Sequence, residues 1–110
     1  MVKLESIDYK SGCVPISNED RLPYKREENN GFVSIALTND KYPRYELLNK
    51  TAQYILSLMD GKKTVYDIFN AMVSTYGEAY REQIGKDLSI LLVQLWVKNV
   101  ISWKDGVEPK

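Results

Sequence analysis

The stretch Leu48-Asn49-Lys50-Thr51-Ala52-Gln53-Tyr54-Ile55-Leu56-Ser57-Leu58-Met59-Asp60-Gly61-Lys62-Lys63-Thr64-Val65-Tyr66-Asp67-Ile68 is where the hydrophobic period of the chain changes from two to 3.6. Asn49 or Thr51 carries a side-chain oxygen able to accept a free amide of a first helical turn. Ala52, Ile55, Leu56 and Met59 then recur on one helical face. Asp60-Gly61 closes this helix, with Gly61 suited to the left-handed position beyond its last turn. Thr64-Val65-Tyr66-Asp67 has the form of a capping box with Asp in place of the usual Glu. It opens a second amphipathic helix whose apolar face, Val65, Ile68, Phe69, Met72, Val73 and Tyr76, stops at Gly77.

Upstream the period is that of strands. Arg21-Leu22-Pro23-Tyr24-Lys25-Arg26 and Phe32-Val33-Ser34-Ile35-Ala36-Leu37 flank Asn30-Gly31, a pair that accommodates the positive φ of a tight hairpin turn. Pro23 confines the first of these strands to an edge or to a position that makes no ladder bond. After a polar turn over Thr38 to Pro43, Arg44-Tyr45-Glu46-Leu47-Leu48 reads as a third strand. Tyr45 and Leu47 share one of its faces and Arg44, Glu46 and Leu48 the other; either set fits the inward face. Residues 1–19 show only weak alternation and a Ser11-Gly12 turn signal, and read as a weakly ordered arm or one short strand. Residues 104–110 read as a frayed tail, leaving a single domain over 20–103.

Downstream, a third helix is expected from about Arg81 to Asn99, followed by the short extended segment Val100-Ile101-Ser102-Trp103. At 100° per residue, Ile84, Leu88, Leu91, Leu92 and Leu95 fall within about 60° of one another and belong to the core. The opposite side carries Ile90, Val93 and Val97, flanked by Trp96, where a surface helix would show Lys and Glu. A helix apolar on both sides is covered on both sides. The N-terminal arm, the sheet, a second copy of the chain or a ligand would each serve. Gly85 costs this helix roughly 1 kcal/mol relative to Ala and suggests the close approach of another backbone.

Composition narrows the chemistry. The 110 residues carry 15 Lys and Arg against 15 Asp and Glu, one cysteine and no histidine. Cys13 has no partner for an internal disulfide, and the absence of histidine removes the usual general base and the commonest transition-metal ligand. Adjacent Glu27 and Glu28 in a turn region offer no acid–base geometry. Neither an enzymatic role nor a cofactor is expected. Balanced charge argues against a nucleic-acid partner, and the tyrosines lack the basic interleaving of a base-stacking surface. No apolar run approaches the roughly 20 residues that span a bilayer, and Met1-Val2-Lys3-Leu4-Glu5 is unlike a secretory signal, so a cytoplasmic protein without membrane contact is expected. Asp87 reads as a favourable negative charge in the first turns of the third helix. What remains is a binding module.

The run from Leu48 to Ile68 resembles the L-N-x-T-A-x-x-I-L-x-L-x-D-G-x-x-T-V-x-x-I pattern of PqqD-type proteins, the leader-peptide recognition elements of ribosomally made, post-translationally modified peptide (RiPP) pathways. The likeness continues through Asp87-Leu88, Leu91-Leu92 and Leu95, and upstream through Arg21-Leu22 and the hairpin; residues 1–19 have no counterpart. It implies a winged-helix-like α+β fold, with a three-stranded antiparallel sheet followed by three helices, and no catalysis. It further implies that a precursor's leader segment adds as an antiparallel strand beside the third strand and packs on the third helix. The module would then present the precursor to a modifying enzyme, a radical SAM protein or a leader peptidase and cyclase. The peptide-binding residues on this reading are Arg44, Tyr45, Glu46, Leu47, Leu48, Lys86, Ile90, Val93 and Val97, with Arg44 and Lys86 facing acidic leader residues. Two other readings use the same elements: a winged-helix DNA-binding protein, for which Ile90, Val93 and Val97 are poor readers of bases, and a scaffold that forms a homodimer through the outer stripe.

Overall fold

A computed structural model gives the fold, and it describes residues 6–18, 24–27, 31–36 and 45–109. In chain order these form β1 (Pro15–Ser17), β2 (Tyr24–Glu27), β3 (Val33–Ala36), β4 (Tyr45–Leu48), α1 (Lys50–Ser57), α2 (Val65–Tyr76), α3 (Arg81–Val97) and β5 (Ile101–Trp103). The expected α+β order of three antiparallel strands and then three helices is present as β2-β3-β4 and α1 to α3. A second, two-stranded sheet joins β1 to β5, with Ile16 opposite Ser102. Within the larger sheet Val33 faces Leu48 and Ile35 faces Glu46 across β3 and β4. Arg21 to Pro23, Asn30 and the turn over Thr38 to Pro43 lie outside the described residues. Gly31 keeps the positive φ expected of it, at 83°.

Local chemistry sets the helix starts. Asn49, not Thr51, caps α1, its side chain accepting the Ala52 amide at 2.9 Å. At α2 the Thr64 hydroxyl accepts the Asp67 amide at 3.1 Å, and the Asp67 carboxylate accepts the Thr64 amide at 3.0 Å. Two more first-turn amides of α2 are satisfied from the arm. Val65 donates to the Cys13 carbonyl at 2.9 Å and Tyr66 to the Ser11 carbonyl at 3.2 Å. A helix leaves such donors without internal partners, so these bonds hold the arm and complete the cap together.

Two expectations about endings need correction. α1 stops at Ser57, because the amides of Leu58 and Met59 turn back to the carbonyls of Ile55 and Leu56 at 3.1 Å each, tightening the last turn. Gly61, at φ 80°, instead belongs to a following turn organised by Asp60, whose carboxylate accepts the amides of Lys62 and Lys63. Tyr76, assigned to the apolar face of α2, is exposed.

The core joins Val33, Ile35 and Leu48 from the sheet to Ile55, Ile68, Phe69, Leu88 and Leu92 from the helices. The arm is part of it. Ile7 is buried and donates its amide to the Ser89 carbonyl of α3 at 3.1 Å, while the Tyr9 ring lies 4.4 Å from that of Phe69. Asn18 closes the other end, donating its backbone amide to Val100 and its side-chain amide to Asn99. Gly85 is therefore met by a ring and not by the expected backbone: a Cβ there would sit 2.9 Å from Cδ1 and Cε1 of Tyr9. Alanine normally gains a helix roughly 1 kcal/mol over glycine. Gly85→Ala is expected to lose that gain and lower the melting temperature, yet to raise it in a Tyr9→Ala background. Equal effects in both backgrounds by thermal denaturation would refute the contact.

Candidate functional site

α3 is covered by the core on one side, through Ile84, Leu88, Leu92 and Leu95, and by the arm at Gly85 and Ser89 on another. Between these coverings a strip of the helix faces β4 across a groove of about 370 Å³. The strand contributes Leu47 and Leu48, and the start of α1 contributes Asn49, Thr51 and Ala52. From α3 come Asp87, Ile90, Leu91, Gln94 and Leu95, with Lys98 just beyond its last turn. The wall is thus mostly aliphatic, with amide and hydroxyl groups where α1 begins.

β4 pairs with β3 along one edge, and among the described residues none pairs with the other. In an antiparallel edge strand alternate residues turn their N–H and C=O away from the partner. Leu48 is buried whereas Leu47 is 51% exposed, which puts the Leu48 parity on the inward face. The end of β4 is held by Gln53, whose side-chain amide donates to the carbonyls of Leu48 and Gly31 at 3.0 and 2.9 Å.

Of the residues expected to bind a peptide, Leu47, Leu48 and Ile90 line this groove together, Ile90 being 48% exposed. The structure fixes Tyr45 and Glu46 as backbone members of β4, and Arg44 lies outside the described residues. The outer stripe of α3 is divided. Val93 is only 8% exposed and belongs to the buried core cluster, one helical turn beyond Ser89, where the arm bonds to α3. Val97 is 62% exposed and lines none of the grooves described here. Lys86 sits with Ser6, Tyr9 and Ser89 in a separate recess on the other flank of Ile90.

Sequence reasoning missed Thr51, Ala52, Leu91 and Gln94. Thr51 and Ala52 were accounted for as cap and core, and Leu91 as core, although it is only half-buried and packs at the margin of the cluster. Gln94 carried no signal beyond its spacing of four from Ile90, which was available.

Charge is sparse in the groove. Asp87 accepts a hydrogen bond from the Gln83 side chain at 2.8 Å. The perturbed titrations lie elsewhere. Hydrogen bonds from the Lys63 ammonium and the Lys62 and Lys63 amides hold Asp60 well below the usual carboxylate range. Glu78 is lowered by the Arg81 guanidinium, which is itself raised. Among the described residues no three His, Cys, Asp or Glu side chains gather as metal ligands, and no helix is long and apolar enough to cross a membrane.

Fold and groove define a class: a small α+β module in which an edge strand borders a groove beside the last long helix. The family described as Coenzyme PQQ synthesis protein D (PqqD) matches residues 35–101, more than half of the chain, and the chain belongs to that family. The matched span runs from β3 to the start of β5 and so takes in every element lining the groove. No curated protein and no solved structure matches the chain. The family is one of accessory proteins in biosynthesis and not of catalysts.

The split of the outer stripe separates two substitutions that a helical projection treats alike. Val93→Asp buries a carboxylate in the hydrophobic core and is expected to cost several kcal/mol, of order the stability of a small domain. Ile90→Asp should melt cooperatively, within about 1 kcal/mol of the parent. Urea denaturation of the two variants checks this.

Proposed function

We propose that this protein is a non-catalytic module that binds the leader segment of a ribosomally synthesised precursor peptide and presents it to a modifying enzyme. The observation that carries this reading is the outer edge of β4 lying along the groove that Ile90, Leu91 and Gln94 line. An extended peptide adding antiparallel to that edge takes main-chain bonds from Tyr45 to Leu48, and its alternate side chains drop into the groove. Family membership supplies the biosynthetic setting. The enzyme served is a radical SAM protein, or a leader peptidase and cyclase pair.

The magnitudes are adequate. About four strand-to-strand hydrogen bonds at roughly 1 kcal/mol each and about three apolar anchors at roughly 2 kcal/mol each give about 10 kcal/mol. Ordering a disordered peptide removes roughly 2–5 kcal/mol, leaving an affinity between about 200 μM and about 1 μM. The exposed face of α3 favours a peptide over a polyanion, since Arg81 and Lys86 are offset there by Glu82 and Asp87.

Titration with a synthetic precursor leader peptide is expected to shift the amide signals of Tyr45 to Leu48 and of α3 around Ile90 and Gln94. Ile90→Asp should weaken that binding about tenfold or more while the fold persists. Shifts confined to β1, β5 and the arm would overturn the assignment.

A further inference from the structure

A second groove, of about 380 Å³, lies farther along α3. Ile55 of α1, Met72 and Tyr76 of α2, and Ile84 and Leu88 of α3 make its apolar walls, and Tyr80 stands at its rim, 61% exposed. It shares Thr51, Asp87 and Leu91 with the groove beside β4, so the two depressions meet there.

Their order along the chain gives the junction a polarity. Passing from the first groove to the second, the lining advances from Leu47 and Leu48 through Thr51 to Ile55, while on α3 it retreats from Lys98 and Gln94 to Ile84 and Gln83. A strand antiparallel to β4 starts at the Leu48 end and finishes at the Tyr45 end. Residues that precede its paired segment are therefore the ones directed over Thr51 toward Tyr80. We infer that the second groove receives an apolar side chain, aromatic or branched aliphatic, from the part of the leader immediately N-terminal to the residues paired with β4. This rests on the strand-addition reading above and deepens it, since it gives the leader a second anchor and fixes the end of the peptide that carries it. A groove of this size suits one or two side chains of a continuing peptide, whereas a folded enzyme would need an interface of about 1,000 Å² or more.

The probe is the same synthetic leader, carrying a spin label at its N-terminus or, separately, at its C-terminus. The reporters are the isotope-labelled methyls of Ala52, in the first groove, and Met72, in the second. Both methyls are expected to shift on binding, with Met72 broadened by the N-terminal label only. Tyr80→Ala, at an exposed position, should weaken the full leader roughly tenfold, as loss of an aromatic contact does, and leave unchanged the binding of a leader cut back to its paired segment. Shifts at Ala52 and the β4 amides with Met72 unmoved would overturn this inference alone, as would broadening of Met72 by the C-terminal label. Silence at Ala52 and at the β4 amides would overturn the strand-addition reading and this inference with it.

Discussion

A long helix that is apolar on opposite sides has to be covered from both, and in a chain of 110 residues the material for doing so is limited. Here α3 takes one covering from the helices and sheet behind Leu88 and Leu92, and another from the arm that bonds to Ser89 and lays Tyr9 on Gly85. What neither covering reaches is the strip through Ile90, Leu91 and Gln94. The groove thus follows from an incomplete enclosure of one helix, and its place is set by where the arm crosses.

That crossing also explains which parts of the molecule were legible beforehand. The capping box at Thr64 and most of the apolar faces of α1 and α2 are written within a few residues of where they act, so spacing alone reveals them. The arm acts across nearly the whole chain, from Ile7 to Ser89 and from Asn18 to Val100, and nothing near Ile7 or Asn18 announces the partner. Val93 suffered most: a helical projection gives its direction but not what lies in that direction. The end of α1 was misplaced for a related reason. Gly61 has the conformation of a helix terminator, but burial of Met59 and the bridge between Asp60 and Ile16 draw the chain out of the helix sooner.

The candidate site was half legible. Its strand side was read from the parity of Tyr45 to Leu48, with the inward set decided only by the burial of Leu48. On the helix side Ile90 was found because it is apolar where a charge was due. Leu91 was hidden for the opposite reason: an apolar residue beside the core stripe attracts no notice, although it stands where two grooves meet. A groove floor and a core surface use the same residues, and only three-dimensional coverage separates them.

The side chain of Gln53 fastens the end of β4 to the hairpin at Gly31 from the first turns of α1. One terminal nitrogen uses both hydrogens for this, so strand, turn and helix move as a unit. In the proposed role such a receptor behaves as a stiff template, and the cost of becoming ordered falls on the incoming chain. Because a template of this kind grips main chain, which every amino acid shares, it tolerates drift in its clients. In that proposed role a single copy would be suited to several divergent precursors, provided each kept its few greasy contacts in register.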